Sequence, residues 1–321
     1  MASSRNSHST DGVLAACAAA LNEQVAPGQN LTLALSGGVD SVTLLHLLHR
    51  LAPVAGYELA AIHVNHGLSA KAEQWVEFCA TLCQAKGIPL TIERVVVERA
   101  SRDGLEAAAR RARHAAFARA HGDFIVLGHH RGDQAETLLF NLLRGTGLAG
   151  AAAMAPRQRR LLRPLLAVSR AEIEAYAREQ GLDWIDDESN RDTGFSRNFL
   201  RHEILEPLHR RFPAAEKNLA AATGRFSEAV ALLDDLARID LADQLDFPLA
   251  VETLASLSEQ RARNALRYLL ARRGIGIPSE SRLVEALRQL LAAGHDRHPR
   301  QRFGEWDMVR RRGKIDLERV R

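Results

Sequence analysis

A short segment near the amino end of the chain combines the residue types that hold phosphate groups. It follows an apolar run at 31–35, precedes a stretch with helical spacing, and reads Ser36-Gly37-Gly38-Val39-Asp40-Ser41. Two glycines let a backbone turn tightly and approach a ligand, and a helix start presents N–H groups that have no partner within the helix. Such a junction suits a phosphate or pyrophosphate, with the serine hydroxyls as further donors. The segment is therefore predicted to bind phosphate, the alternative being a glycine turn capped by Ser or Asp.

Asp40 is the residue of this segment that a bare phosphate would repel. A carboxylate makes chemical sense there beside a cation, and Mg²⁺ is bound by carboxylate and phosphate oxygens. The segment lacks the Gly-Lys-Ser/Thr ending of a Walker A loop and the glycine spacing of a dinucleotide-binding turn. Asp40 is therefore predicted to be a Mg²⁺ ligand.

A second group of polar residues lies at the end of the apolar run 59–64. His63 is within the run, and Asn65 and His66 follow it. An adenine ring could bind at this strand end, where backbone groups can bond its edge. Polar side chains that only end the strand would leave the same pattern. Spacing alone leaves both interpretations open.

Two pairs of charged residues lie at helical spacing. Arg110 and Arg113 are three residues apart on one helix face, where two guanidinium groups can hold a phosphate or carboxylate or can simply be solvated. Asp133 and Glu136 share a face in the first turn of a helix, which carboxylates favour. They are either a capping arrangement or a pair of carboxylates that binds an ammonium group.

Two later polar pieces are less specific. They read Asp187-Glu188-Ser189-Asn190 and Arg197-Asn198-Phe199-Leu200-Arg201. Taken alone, the first indicates a polar turn and the second a helix start with two arginines on one face.

The elements around these residues predict an α/β fold. Apolar runs alternate with helical stretches, which favours a parallel sheet with helices on both faces. The predicted strands are 31–35, 59–64, 90–97 and 124–127, and the predicted helices are 42–51, 70–85, 105–120 and 135–143. Ligands of such folds bind at the carboxyl ends of the strands, which is where the polar residues lie.

The strand signal fades after Pro213. Residues 214–245 and 256–272 have helical spacing, and a short β element is expected near 308–310. The sequence therefore predicts an α/β domain at 1–213, which contains the candidate phosphate-binding segment, and a smaller, mainly helical and basic domain at 214–321.

Composition and charge exclude several classes of protein. With 46% apolar and 26% charged residues, the 321-residue chain is typical of soluble proteins, and it has no apolar run long enough for a membrane span. Three cysteines are too few for a disulfide framework, so the cytoplasm is expected.

The net charge of +4 is unevenly distributed along the chain. Residues 261–321 hold 16 basic and 7 acidic side chains, whereas the remaining 260 residues hold 27 and 32. The basic segment is predicted to dock an RNA through Arg261, Arg263 and Arg267, the alternative being a solvated helix face.

The motifs together resemble a known family. Leu35 to Ser41 resembles the pyrophosphate loop of the ATP pyrophosphatase (PP-loop) superfamily. The other motifs occur in the order typical of the tRNA(Ile)-lysidine synthetase family, and they read His-Val-Asn-His-Gly-Leu, Glu-Ala-Ala-Ala-Arg-x-x-Arg, Gly-His-His-x-x-Asp-Gln-Ala-Glu-Thr, Asp-x-Ser-Asn and Arg-Asn-x-x-Arg. The resemblance is close from 31 to 207.

The resemblance implies a two-step reaction. ATP adenylates the wobble cytidine of the isoleucine tRNA with a CAU anticodon, releasing pyrophosphate, and free lysine then displaces AMP. By matching position, Ser36, Gly37, Gly38, Val39, Asp40 and Ser41 would bind ATP with His63 and Asn65, and Asp40 would also hold Mg²⁺ and act in catalysis. Asp133, Glu136, Arg110 and Arg113 would bind lysine, the first three also acting in catalysis, and Arg197 and Arg201 would contact the tRNA.

The sequence departs from the family pattern at two positions. Gly132 stands where the family usually has Asp, which puts the role of that Asp in doubt, and His114 stands where Tyr is common. The chain also resembles a short or truncated member. The competing interpretations are a tRNA 2-thiocytidine synthetase, which the lack of a C-x-x-C pair disfavours, and a nucleotide-binding sensor without turnover.

Overall fold

The computed structural model describes residues 7–98, 104–188, 192–293 and 299–320, which form two compact units, Met1–Arg225 and Phe226–Arg321. The first unit contains helices and strands in alternation up to its last third. They are α1 (Ser7–Asn22), β1 (Asn30–Ala34), α2 (Val39–Ala55), β2 (Glu58–Asn65), α3 (Ala72–Ala85), β3 (Leu90–Arg94), α4 (Leu105–Arg119), β4 (Phe124–Val126), α5 (Arg131–Leu143), α6 (Leu148–Ala151), β5 (Arg157–Gln158), β6 (Leu161–Leu162), α7 (Arg170–Glu179), α8 (Ser196–Phe199), a π-helical turn (Leu200–Leu205) and α9 (Glu206–Arg211), followed by the long helix α10 (Ala215–Leu241).

The strands of the first unit form one six-stranded sheet in the order β3-β2-β1-β4-β6-β5. All neighbouring pairs are parallel except β5 with β6. The predicted α/β fold is therefore confirmed. Because β1, β2 and β4 are neighbours, the loops that follow them meet at one edge of the sheet.

Helices cover both faces of this sheet because successive strand residues point in opposite directions. Leu31 and Leu33 of β1 pack in a large core with the apolar sides of α1, α2 and α7. Ile62 of β2 and Ile125 of β4 pack on the other face against Phe117 of α4. The central strands β1 and β4 are thus buried on both sides, as expected of a parallel sheet.

The second unit combines helices with a small antiparallel sheet. After the remainder of α10 it contains β7 (Leu249–Ala250), α11 (Val251–Ala255), α12 (Glu259–Arg272), α13 (Glu280–Ala292), β8 (Arg300–Phe303), β9 (Trp306–Arg311) and β10 (Lys314–Arg319). The sheet order is β7-β10-β9-β8, and its core includes Met308 and Ile315. Helices are the larger part, as predicted, but the sheet is more extensive than the one short β element expected near 308–310.

The predicted domain limits of 1–213 and 214–321 stay a prediction. The two compact units divide after Arg225, within α10, rather than at Pro213. In the part of the chain that the structure describes, no helix is long and apolar enough to cross a membrane.

Candidate active site

A cleft of about 1470 Å³ opens in the first unit where β1, β2 and β4 end. Its walls come from the loops after these strands, from α5 and from the segment that follows α7. Binding pockets for small molecules usually have volumes of a few hundred to about 1,000 Å³, so the cleft has room for a nucleotide and a second substrate.

The loop after β1 is organised around the Ser41 hydroxyl. Ser41 Oγ accepts hydrogen bonds from the backbone N–H groups of Ser36 (3.2 Å) and Gly37 (3.1 Å), and it donates one to the carbonyl of Gly38 (3.0 Å). Ser36 Oγ lies 3.1 Å from Ser41 Oγ and accepts from Gly38 N–H. The helix α2 begins at Val39, so its first N–H groups face the same loop. This is the strand–loop–helix junction that the sequence predicts for a phosphate.

Position 37 of this loop requires glycine, because its φ is +91° and because other atoms pack closely against its Cα. A Cβ atom there would lie 2.5 Å from Cδ1 of Ile185, whose N–H donates to the Gly37 carbonyl at 2.9 Å. A side chain at position 37 would therefore be strained in its backbone and would also displace the segment around Ile185.

Asp40 lies in the first turn of α2 and is held by Arg170, the first residue of α7. Arg170 Nη1 donates to Asp40 Oδ2 at 2.5 Å, whereas the buried Oδ1 has no hydrogen-bond partner among the described residues. Burial raises the pKa of the Asp40 carboxyl, against the lowering effects of His130 and Arg170. A free buried carboxylate oxygen beside a phosphate-type loop is a suitable ligand for a cation.

His63 and Asn65 lie in the cleft wall, and the hydrogen bonds of their side chains support the neighbouring loops. His63 Nδ1 donates to the carbonyl of Leu35 at 2.9 Å, directly before the glycine loop. Asn65 Nδ2 donates to Glu73 Oε1, and its Oδ1 accepts from Gly67 N–H. The two residues thus end β2 and fix the neighbouring turns, while their place in the wall is consistent with adenine contact.

Asp133 and Glu136 of α5 form a buried pair of carboxylates that shares one cation. Arg201 Nε donates to Glu136 Oε1 at 2.6 Å, and Arg201 Nη2 lies 3.4 Å from Asp133 Oδ1. Arg201 is in the π-helical turn Leu200–Leu205, so this contact joins residues 65 and 68 positions apart. The predicted tRNA contact Arg201 therefore lies inside the cleft, on the carboxylates predicted to receive lysine.

The two carboxylates differ in their ionisation. Burial raises the pKa of Glu136, and Arg201 opposes this only in part. Burial also acts to raise the pKa of Asp133, but His130, its backbone N–H and Arg201 lower it overall. Asp133 is therefore the fixed anion of the pair, and Glu136 is the better proton acceptor.

The start of α5 is a capping box. Asp133 therefore caps the helix with one oxygen, while its other oxygen faces the cation Arg201. Asp133 Oδ2 accepts from the His130 backbone N–H, and His130 Nδ1 accepts from Gly132 N–H at 3.0 Å. A Cβ at Gly132 would lie 2.9 Å from Cε1 of His130. The imidazole of His130 thus occupies the space that an Asp at position 132 would need.

The predicted arginine pairs have different positions. Arg113 of α4 lines the cleft, whereas Arg110 is outside the lining but close enough to His129 to lower its pKa, as Arg113 also does. Arg197 is half-buried in α8 and is not part of the cleft lining. Asp187 and Glu188 lie at the cleft; Ser189 and Asn190 lie outside the described residues.

The arginines predicted to dock RNA in the second unit are engaged in ion pairs. Arg261 pairs with Asp240, and Arg263 and Arg267 both bind Glu280, at 2.7 and 2.5 Å. Residues 226–321 hold 17 basic and 15 acidic side chains, a net charge of +2. Most of the +9 on 261–321 is thus offset by acidic residues of the same unit.

Sequence reasoning missed Arg170 and assigned Arg201 to a different contact. Both reach the cleft through tertiary packing that no local spacing encodes. A partial signal exists for Arg170, because Ser169 and Glu172 form a capping box that places it at the first position of a helix.

Comparison with known proteins places these features in a family. Residues 13–208 match the family model described as the PP-loop domain, and residues 249–315 match the TilS substrate binding domain. The chain is 51% identical over 271 residues to the tRNA(Ile)-lysidine synthase of Aromatoleum aromaticum, covering 84% of this chain and 64% of that protein. It is 45% identical over 306 residues to the enzyme of that name from Nitrosomonas europaea, covering 92% and 67%. The chain thus spans about two thirds of the length of these relatives.

The fold is also found in a solved structure of another enzyme. The U34-tRNA thiolase of Methanococcus maripaludis, with its [4Fe-4S] cluster, matches with a TM-score of 0.56 at 17% identity, covering 70% of this chain and 80% of that one. This likeness shows the shared fold. From the two family models and the identity to its relatives, the chain belongs to the tRNA(Ile)-lysidine synthase family of PP-loop proteins.

Proposed function

We propose that this chain uses ATP to join free lysine to the wobble cytidine of tRNA(Ile) with a CAU anticodon, by way of an adenylated cytidine. The observation that carries the proposal is the single cleft that contains both a phosphate-type loop and a buried pair of carboxylates. The first is suited to ATP and the second to an ammonium group. Both half-reactions can therefore take place without moving the cytidine to another site.

The loop 36–41 binds the phosphates in this proposal. The N–H groups at the start of α2 offer donors to anionic oxygens, the two serine hydroxyls hold the loop in shape, and the dipole of this 17-residue helix favours negative charge at the same end. The terminal phosphates leave as pyrophosphate when the carbonyl oxygen of the cytidine attacks the α-phosphorus. Donors that face the leaving group stabilise the charge it gains.

The residues of the cleft fit a Mg²⁺ ion. Asp40 Oδ1 is the buried oxygen without a partner among the described residues, and no group of three or more His, Cys, Asp or Glu in that part of the chain could hold a metal. A single protein carboxylate with phosphate and water oxygens is a common environment for Mg²⁺. When bound, Mg²⁺ would supply positive charge to the phosphates, with Asp40 as its protein ligand.

Lysine binds at Asp133 and Glu136 in this proposal. The pair already holds one cation, the Arg201 guanidinium, so its geometry accepts a positively charged group. Arg113 of α4, which lines the cleft, and Arg110 of the same helix supply positive charge for the lysine carboxylate or for the phosphates. Glu136 takes the proton from the lysine ammonium, the free amine attacks C2 of the adenylated cytidine, and the bond from C2 to the AMP oxygen breaks.

Lysine incorporation tests the proposal directly. Radiolabelled lysine should enter a full-length tRNA(Ile) transcript with a CAU anticodon only when ATP and Mg²⁺ are present, with release of AMP and pyrophosphate. A tRNA(Met) transcript is the matched control, because it carries the same anticodon letters. If no label enters the cognate transcript while ATP binds to the chain, the assignment to lysidine formation is wrong.

A further inference from the structure

A buried arginine behind the cleft has no carboxylate partner in the part of the chain that the structure describes. Arg163, just after β6, is 4% exposed, and no acidic side chain of the described residues lies within ion-pair distance of it. Nη1 donates to the Ala155 carbonyl at 2.8 Å and Nη2 to Gln158 Oε1 at 3.4 Å. A buried guanidinium is normally paired with an anion, because removing the charge from water costs several kcal/mol. The buried guanidinium of Arg163 therefore needs a role other than an ion pair.

The remaining donor of Arg163 is directed at an imidazole of the cleft. Arg163 Nε donates to His129 Nδ1 at 3.2 Å, and His129 lies in the loop after β4 and lines the cleft. Because Nδ1 accepts this hydrogen bond, it carries a lone pair, and the ring proton must be on Nε2. The contact therefore selects one of the two neutral tautomers and leaves an N–H donor on the ring.

The charges around His129 favour the neutral ring as well. Burial is the main cause that lowers the pKa of His129 to about 3, Arg163, Arg113 and Arg110 lower it further, and Asp133 opposes them. Arg163 follows β6, Arg110 and Arg113 are in α4, and Asp133 is in α5. An imidazolium would add a fourth positive charge beside three guanidinium groups.

We propose that Arg163 is a positioning residue that holds His129 as a neutral Nε2–H donor for an oxygen of the nucleotide bound in the cleft. His129 then donates a hydrogen bond without transferring a proton, and it does so across the whole working range of pH. The inference rests on the proposed function for the identity of the nucleotide. The tautomer itself is a property of the free protein.

Nitrogen-15 NMR of the histidine rings in the full chain tests the tautomer without substrate. Among the 13 histidines, the His129 signals are those missing from the His129→Gln variant. We expect Nδ1 of His129 to show the shift of an unprotonated nitrogen and Nε2 that of an N–H, with no titration between pH 5.5 and 8.5. An Nδ1–H tautomer or a protonated ring in the unmodified chain would overturn the proposal, whatever reaction the protein catalyses.

Arg163→Met removes the donor while keeping an apolar stem of similar length. We expect the Nδ1–H tautomer to become populated in this variant. Arg160→Met is the matched control, because Arg160 is three residues away and donates only to carbonyls, those of Ala120, Gly122 and Asp123. It should keep the tautomer of the unmodified chain. An unchanged tautomer in a folded Arg163→Met chain would contradict the role of Arg163.

Kinetics separate positioning from a general loss of structure. Loss of one preorganised donor lowers a rate by on the order of 100-fold. In Arg163→Met, and likewise in His129→Gln, the kcat of tRNA-dependent pyrophosphate release should therefore fall 10- to 100-fold, with a smaller change in the KM for ATP. His129→Gln with Arg163→Met should lose little more than His129→Gln alone, because both act through one donor. Independent, multiplying losses would refute the coupling. If the unmodified chain released no pyrophosphate, the proposed function would fail while the NMR result would still stand.

Discussion

Glu136 and Asp133 are three residues apart and share one guanidinium, yet their surroundings drive their pKa values in opposite directions. Burial raises the pKa of Glu136, whereas His130, its backbone N–H and Arg201 together outweigh burial at Asp133. Pairs of titratable groups separated in this way commonly divide the roles of binding and proton transfer. The division argues that Glu136 takes the proton from lysine while Asp133 holds the ammonium.

Glu136→Gln should stop lysine transfer while adenylated tRNA still accumulates, because the amide cannot accept the proton. Single-turnover assays with labelled ATP and labelled lysine separate the two steps. For the unmodified chain the transfer rate should fall as pH decreases through the raised pKa of Glu136, since only the ionised carboxylate is a base. Asp133→Asn is the matched comparison and should weaken lysine binding more than it changes the pH dependence. Normal lysine transfer by Glu136→Gln would contradict this assignment.

Asp40→Asn should abolish adenylation, because an amide oxygen is a poor Mg²⁺ ligand and bound metal contributes several kcal/mol at a transferring phosphoryl group. Pyrophosphate release with tRNA present is the measurement. Glu174→Gln is the control, because Glu174 binds Arg170 Nε at 2.9 Å and its loss loosens the arginine that holds Asp40 without removing the predicted metal ligand. Equal losses in both variants would mean that Asp40 acts only by anchoring Arg170.

Among the elements, the sequence predicted which strands end at the cleft, but it did not predict which later segments contribute the arginines that complete it. The order of apolar runs indicated β1, β2 and β4, and the polar residues after them therefore had to meet at one edge. Arg170 and Arg201 reach that edge from α7 and from a π-helical turn, and their contacts with Asp40 and Glu136 span 130 and 65 residues. Hydrophobic periodicity carries no information about such pairs.

The small sheet of the second unit was underestimated for a related reason. In β9 the charged Asp307 and Arg310 are themselves buried beside Met308, and in β10 the exposed Lys314 and Asp316 flank the buried Ile315. With charge at so many positions, alternation is visible only once the strand partners are known. The sequence therefore predicted one short β element where the structure has a sheet of four strands.

Gly37→Ala tests the junction of β1 and α2. The new methyl group would lie 2.5 Å from Ile185 Cδ1 at a φ of +91°, so we expect a loss of stability of about 1–3 kcal/mol and weaker ATP binding. Thermal unfolding and ATP titration measure the two effects. Gly87→Ala is the control, because its φ is +64° with no atom within 4 Å of the added Cβ. Adding Ile185→Val removes the clashing methyl, and it should restore part of the ATP affinity if the clash is the cause.

In the folded molecule, the arginines without an ion-pair partner are not those of the most basic segment of the sequence. Arg261, Arg263 and Arg267 are bound to acidic residues of their own unit. In contrast, Arg210 and Arg211 at the end of α9 are exposed and pair with no carboxylate of the described residues. Arg210 lines the cleft. The guanidinium carbon of Arg211 lies 5.3 Å from the ring centroid of the exposed Phe212. Exposed arginine next to an aromatic ring at a cleft is suited to a single-stranded RNA loop.

Replacing Arg210 and Arg211 together by Ala should therefore weaken binding of the tRNA anticodon stem-loop and lessen its dependence on salt. Each phosphate contact on a single strand contributes about 0.7 to the slope of log affinity against log salt, so two lost contacts should reduce that slope by about 1.4. Arg263→Ala with Arg267→Ala is the matched pair of equal charge, and it should change the slope little because Glu280 already binds both side chains. ATP binding should be unaffected by either pair. If the Arg263 and Arg267 pair alone lowered the slope, the RNA would dock on the second unit, as the charge of 261–321 first indicated.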